Sequence, residues 1–83
     1  MTKKYIAIYQ DNKGNGLGAD TINGELTFEK LYALEPKAKR YDAKYISIER
    51  RTNGHFIAIG IYDVKKGTFY KSGSLPRYGP GLY

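Results

Sequence analysis

At 83 residues with no cysteine, the chain has room for one hydrophobic core, which must stand without a disulfide framework or a thiolate metal site. Its net charge of +6 is uneven: residues 1–36 hold four basic and five acidic side chains, residues 37–83 ten basic and three acidic. No apolar run approaches the ~20 residues of a membrane span, and Tyr5 to Tyr9 behind Lys3 and Lys4 is too short for a signal-peptide core, so a soluble, cytoplasmic chain with no membrane partner is expected.

Lys4 to Gln10 reads as a strand central in a sheet, because Tyr5-Ile6-Ala7-Ile8-Tyr9 is an unbroken β-favouring run bounded by Asp11-Asn12. The glycine-rich stretch from Asn12 to Gly24 reads as a long loop, with Asn23-Gly24 as a candidate for a short hairpin. From Thr27, which reads as the N-cap, helical spacing begins: Phe28, Leu31, Tyr32 and Glu35 share a face, predicting a helix over 28–35. Pro36 either ends it or opens a second helical turn over the basic stretch Lys37 to Arg40. Asn53-Gly54 predicts a two-residue hairpin turn between two β-rich runs, and Thr68 to Lys71 predicts a further strand.

These elements predict an α+β domain over residues 1–74, with a small three- to four-stranded, mainly antiparallel sheet and one helix packed on one face. A Gly/Pro-rich C-terminal tail is expected over 75–83, where Leu75, Tyr78, Leu82 and Tyr83 are apolar anchors able to cover the sheet. With a two-residue loop, Thr52 faces His55, Arg50 faces Ile57, Ile48 faces Ile59 and Ile46 faces Ile61 on one side. The same loop places Arg51 with Phe56, Glu49 with Ala58, Ser47 with Gly60 and Tyr45 with Tyr62 on the other. With Ile6 and Ile8 added to the first side, seven isoleucines would form the core, leaving Tyr5, Tyr9, Tyr45, Phe56 and Tyr62 on an opposite, aromatic face.

Aromatic rings beside cations suit single-stranded nucleic acid, because bases stack on rings while Lys and Arg follow phosphates. The expected site is therefore Tyr5, Tyr9, Tyr45, Arg51, Phe56 and Tyr62, bordered by Lys37, Lys39, Arg40, Lys44 and Arg50. The layout resembles the sheets of RNA-recognition motifs, whose two short signatures are echoed by Tyr5-Ile6-Ala7-Ile8-Tyr9 and Gly54-His55-Phe56-Ile57-Ala58-Ile59. Neither signature is complete and one helix is lacking, so the likeness is one of layout. Gly60-Ile61-Tyr62 resembles the opening of the GIY-YIG nuclease family, whose paired tyrosines and later Arg and Glu carry strand cleavage. The second tripeptide is replaced by Tyr70-Lys71-Ser72, so no nuclease is expected.

Other chemistry is poorly supplied. Gly14-Asn15-Gly16-Leu17-Gly18 fits neither dinucleotide nor Walker loop, and Asp11, Asn15 and Gly16 begin a calcium loop that fails at Lys13 and Ile22. His55 is the single imidazole, which removes nucleophile–base pairs and two-histidine metal sites, and no cofactor is expected. The sequence thus points to a small, basic, non-enzymatic protein that binds nucleic acid or a nucleic-acid-processing protein. The alternative is a protein–protein inhibitor or adaptor of phage or mobile-element type that blocks a host nucleic-acid enzyme. A homodimer burying the aromatic face is a third arrangement.

Overall fold

The computed structural model describes residues 4–52 and 54–71, which form an α+β domain. Its strands are β1 (Lys4–Gln10), β2 (Gly16–Asn23), β3 (Tyr45–Thr52), β4 (His55–Asp63) and β5 (Thr68–Lys71); two short helices, α1 (Phe28–Tyr32) and α2 (Glu35–Arg40), lie between β2 and β3. The sheet has five strands in the order β2-β1-β3-β4-β5, with every pair antiparallel, which corrects the expected three or four. No helix among the described residues is long and apolar enough to cross a membrane. The tail expected over 75–83, and its boundary at 74, lie outside the described residues.

The additional strand is β2, in the segment expected to be loop. Its sequence GLGADTIN has little β propensity, but it pairs with β1 from Lys4↔Asn23 to Gln10↔Gly16. The hairpin joining them turns at residues 11–15, where Asp11 Oδ1 accepts from the amides of Lys13 and Asn15, both at 2.9 Å, and Gly14 supplies φ 88°. These hydrogen bonds, Asn15's first, hold the Asp11 carboxyl below its ordinary pKa. Asn23 therefore ends a strand, and Gly24 leads towards α1.

Thr27 caps α1, its Oγ1 accepting from the Lys30 amide at 3.2 Å. The helix stops at Tyr32 and restarts at Glu35, because Pro36 has no amide to return to the Tyr32 carbonyl but fits the first turn of a new helix. Of the residues predicted to share the helix's inner face, Leu31 is buried and Glu35 half-buried, whereas Phe28 and Tyr32 are exposed.

The largest departure from the expected register is a bulge. The hairpin pairs as predicted from Thr52↔His55 to Glu49↔Ala58, but Ile48 then faces Gly60, so Ile59 is an extra residue on β4. Past that point every β4 side chain changes face: Tyr62 joins Ile46, and Ile61 joins Ser47. The β1 register has the same consequence, since Tyr9↔Ile46 and Ala7↔Ile48 put Tyr9 and Ala7, not Ile6 and Ile8, with the core isoleucines. The core beneath the helices is thus Tyr5, Ala7, Tyr9, Ile22, Ile46, Ile48, Tyr62 and Phe69, joined by Leu31, Ala38, Ala43 and Val64.

Tyr9 and Tyr62 can be buried because each hydroxyl finds a carboxylate. Tyr9 donates to Asp20 at 2.7 Å and Tyr62 to Glu35, and no buried side-chain polar atom among the described residues lacks a partner. Asp20 also takes Lys37 at 2.9 Å, which, with the Tyr9 bond, lowers its pKa and raises that of Lys37. α2 is therefore tied to the sheet on both flanks of Ile46. Burial first, and the neighbouring carboxylate second, push both tyrosine pKa values far above the ordinary value of 10.0. A raised pKa means that the fold holds these protons more tightly than the unfolded chain does, so their contribution is intact below pH ~10 and is lost as pH climbs beyond it. In alkaline unfolding followed by tyrosinate absorbance, Tyr9 and Tyr62 are expected to ionise only with loss of structure. Tyr9→Phe is expected to flatten the fall in stability above pH ~10; an unchanged slope would refute this linkage.

Candidate nucleic-acid interface

A group of lysines converges at one end of the sheet. The Lys44 amide donates to the Gln10 carbonyl at 2.8 Å and the Val64 amide to the Lys44 carbonyl at 3.1 Å, locking the start of β3 between the end of β1 and the β4–β5 turn. The C-terminus of α2 packs beside it, because the Ala43 amide returns to the Ala38 carbonyl at 2.8 Å and Asp42 takes φ 61°. As a result Lys39, Lys44 and Lys65, which are distant in sequence, line one shallow recess of about 420 Å³ with Asp42, Ala43 and Val64. Arg40, the last residue of α2, and Lys66, in the β4–β5 turn, are exposed nearby.

The acids nearby only partly offset this field. Asp11 is engaged by its own turn, and Asp63 Oδ1 accepts the Lys66 amide at 3.0 Å. Asp42 lies 3.8 Å from Lys44, an exposed pair at a separation that holds loosely, and Glu35, 3.9 Å from Lys39, already accepts from the Tyr62 hydroxyl.

Lys39 also lines a second recess with Tyr32, Ala33, Glu35 and Pro36, so the basic end runs directly into the outer side of α1. There Phe28 and Tyr32 are 55% and 60% exposed, and their rings are near-parallel, 6.2 Å apart. Beyond Phe28 an apolar cleft of about 270 Å³ lies between α1 and the β4–β5 turn, lined by Leu26, Leu31 and Phe69 among others. Rings in water beside a lysine cluster offer what the sheet face was expected to offer: flat surfaces for bases and cations for phosphates.

The residues expected to form the site are distributed differently. Tyr5, Tyr9 and Tyr62 are buried beneath the helices, which corrects their placement on an open face; the bulge and the phase of β1 put them there. Lys37 is half-buried against Asp20. Lys39, Arg40 and Lys44 lie at the basic end. Tyr45 begins β3 beside them, half-buried on the outer sheet face, while Arg50, Arg51 and Phe56 lie at the far end of the β3–β4 hairpin. Phe28, Tyr32, Lys65 and Lys66 were not among the expected site residues. The Pro36 break, which rotates the helical face, and the charge pair at a turn were the available signals.

The outer sheet face carries Ile6 and Ile8, both half-buried, Ile61, 40% exposed, and Tyr45 and Tyr70, in place of the expected aromatic row. The tripeptide Gly60-Ile61-Tyr62 has a structural role at each position. Gly60 admits the Phe69 ring, Ile61 faces outward, and the Tyr62 hydroxyl is held by Glu35. No group of three metal-ligating side chains occurs among the described residues. Compared with known proteins, this chain matches no family model, no curated protein and no solved structure.

Proposed function

We propose that this chain is a non-enzymatic binding domain that docks nucleic acid, bare or within a nucleoprotein, along the band Phe28–Tyr32–Lys39–Lys44–Lys65. The observation that carries the proposal is the shared position of Lys39, which lines one recess with Tyr32 and another with Lys44 and Lys65. A strand of phosphates crossing the basic end would leave its next bases beside the two exposed rings. That geometry favours unpaired bases, since only they present a free face for stacking.

Fluorescence anisotropy with a labelled single-stranded oligonucleotide over a range of salt concentrations tests this reading. Affinity is expected to fall linearly on a log–log plot, at about 0.7 per phosphate contacted. Changing Lys39 and Lys65 together to alanine is expected to weaken binding about tenfold at low salt and lower the slope by roughly 1.5, while Tyr32→Ala costs about 1–3 kcal/mol with the slope unchanged. Absence of binding, or affinity indifferent to salt, would overturn it.

The second reading, an inhibitor or adaptor that occupies a nucleic-acid enzyme, is favoured by the aliphatic character of the outer sheet face around Ile6, Ile8 and Ile61. A nucleic-acid-processing protein retained from nuclease-treated lysate by a chain that binds no oligonucleotide would support it in place of the first.

A further inference from the structure

The far end of the β3–β4 hairpin has no role in the band described above. Pairing of β3 to β1 runs from Tyr45 to Arg50, and pairing of β4 to β5 from Asp63 to Gly60. Three hairpin pairs, Arg50↔Ile57, Arg51↔Phe56 and Thr52↔His55, therefore extend to or past the last residues paired with the flanking described strands. With Arg50 still paired to Tyr5 of β1, the two pairs beyond it form a two-stranded ribbon about 7 Å long.

Its two faces both carry large side chains in water. Phe56 and Ile57, on opposite faces, are 55% and 50% exposed, and Arg50 and Arg51 are exposed opposite them. The Arg51 guanidinium lies 5.8 Å from the Phe56 ring centroid, which steadies a planar, forked donor at the end of the ribbon. Two exposed apolar side chains on so short a ribbon mark a contact surface, and its charge selects the partner. Arg50, Arg51 and the exposed Lys4, one position beyond the Tyr5–Arg50 pair, outnumber Glu49, the acid on these ends of β1, β3 and β4 among the described residues. A second copy would bring the cations of both chains together, whereas a polyanion would neutralise them.

We infer that this ribbon enters the groove of a nucleic-acid duplex, so that the molecule recognises a duplex continuing into an unpaired strand. The major groove of B-form DNA, about 12 Å wide and 8.5 Å deep, admits a two-stranded β-ribbon of this length. Inside it Arg51 can reach a guanine edge with both guanidinium nitrogens, and Phe56 can meet a thymine methyl. Lys44, just before β3, and Arg51, near its end, lie about 23 Å apart along the extended chain, so the ribbon and the basic end contact different stretches of one nucleic acid. The inference rests on the nucleic-acid reading above and names the form of the partner.

The test uses three DNA probes: a single strand, a blunt duplex and a duplex with a single-stranded extension. The full chain is expected to bind the extended duplex at least tenfold more tightly than the single strand. Arg50→Ala with Arg51→Ala is expected to remove that advantage and lower the salt slope on the extended duplex by about 1, the share of Arg50 on a phosphate, leaving single-strand affinity unchanged. Phe56→Ala is expected to lower affinity for the extended duplex only. Matching thermal melts exclude loss of fold, since the altered side chains are exposed. Arginine variants that bind the extended duplex like the parent, or lose single-strand binding equally, overturn the ribbon's role while the band stands. A parent chain that binds none of the probes overturns both proposals.

Discussion

Ile46→Ala is expected to destabilise the domain by about 4 kcal/mol, near the upper end for a buried isoleucine. Ile46 is fully buried and stands in register between Tyr9 and Tyr62, the two largest fully buried side chains. The cost of a truncation depends on how far its surroundings can close over the gap, and here they are held. Tyr9 is anchored through its hydroxyl to Asp20, and Tyr62 to Glu35. Neither ring can swing inward without giving up a hydrogen bond in an apolar setting. A domain of this length has roughly 4–12 kcal/mol of total stability, so the variant should be largely unfolded at modest urea concentrations. Ile46→Val, which keeps most of the volume, should cost only about 1 kcal/mol. Urea unfolding checks both; a loss below about 2 kcal/mol for the alanine variant would show that the tyrosines do relax into the space.

Gly60→Ala is the second large effect, at about 3 kcal/mol or more. A Cβ at this position would sit 2.5 Å from the Tyr70 carbonyl oxygen and 2.6 Å from Phe69 Cζ. The ring is a side chain and can move at a cost, but the carbonyl belongs to the strand paired with β4. Relief requires β5 to shift. Adding Phe69→Ala should therefore recover little of the loss, and it removes a buried ring besides. Equilibrium unfolding of the single and double variants gives the coupling between the two sites. A neutral Gly60→Ala would show that β5 is free to slide.

The same glycine explains where the sequence was readable and where it was not. Strands with continuous β-formers, β1 and β5, were legible from composition, as was the Thr27 cap; a restart at Pro36 was one of two alternatives, and the first helix ends at Tyr32, short of the expected 35. β2 was not, because its pairing partner, and not its own residues, makes it a strand. The hairpin register was legible from its turn as far as Glu49↔Ala58. One extra residue at Ile59 then reversed the face of everything after it, including Tyr62, since side chains alternate with a period of two. A lone glycine within a strand is a recognised mark of such a bulge, and Gly60 was the available clue. The expected aromatic face failed for a related reason: alternation treats tyrosine as a surface residue unless a carboxylate is known to await its hydroxyl. Asp20 comes from β2, which composition did not mark as a strand, and Glu35 from a helix 27 residues away from Tyr62. Among the expected binding residues, the lysines at the end of α2 and the start of β3 were brought together, whereas the hairpin arginines were carried to the opposite end.

The strand order has a kinetic meaning of its own. β1–β2 and β3–β4–β5 are each built from neighbours in the chain, and both can zip from their own turns. Only the seam between β1 and β3, from Tyr5↔Arg50 to Gln10↔Tyr45, joins residues roughly forty positions apart. Closing that loop is the main entropic obstacle on the way to the native state, and the helices lie within the very segment that must close. Once α2 is moored on one side to Asp20 of β2 and on the other to Tyr62 of β4, the two halves are already held in apposition. The tyrosine–carboxylate ties thus lie where a folding nucleus would have to form, and the rate at which the chain folds should follow the strength of that mooring more closely than the propensity of any strand.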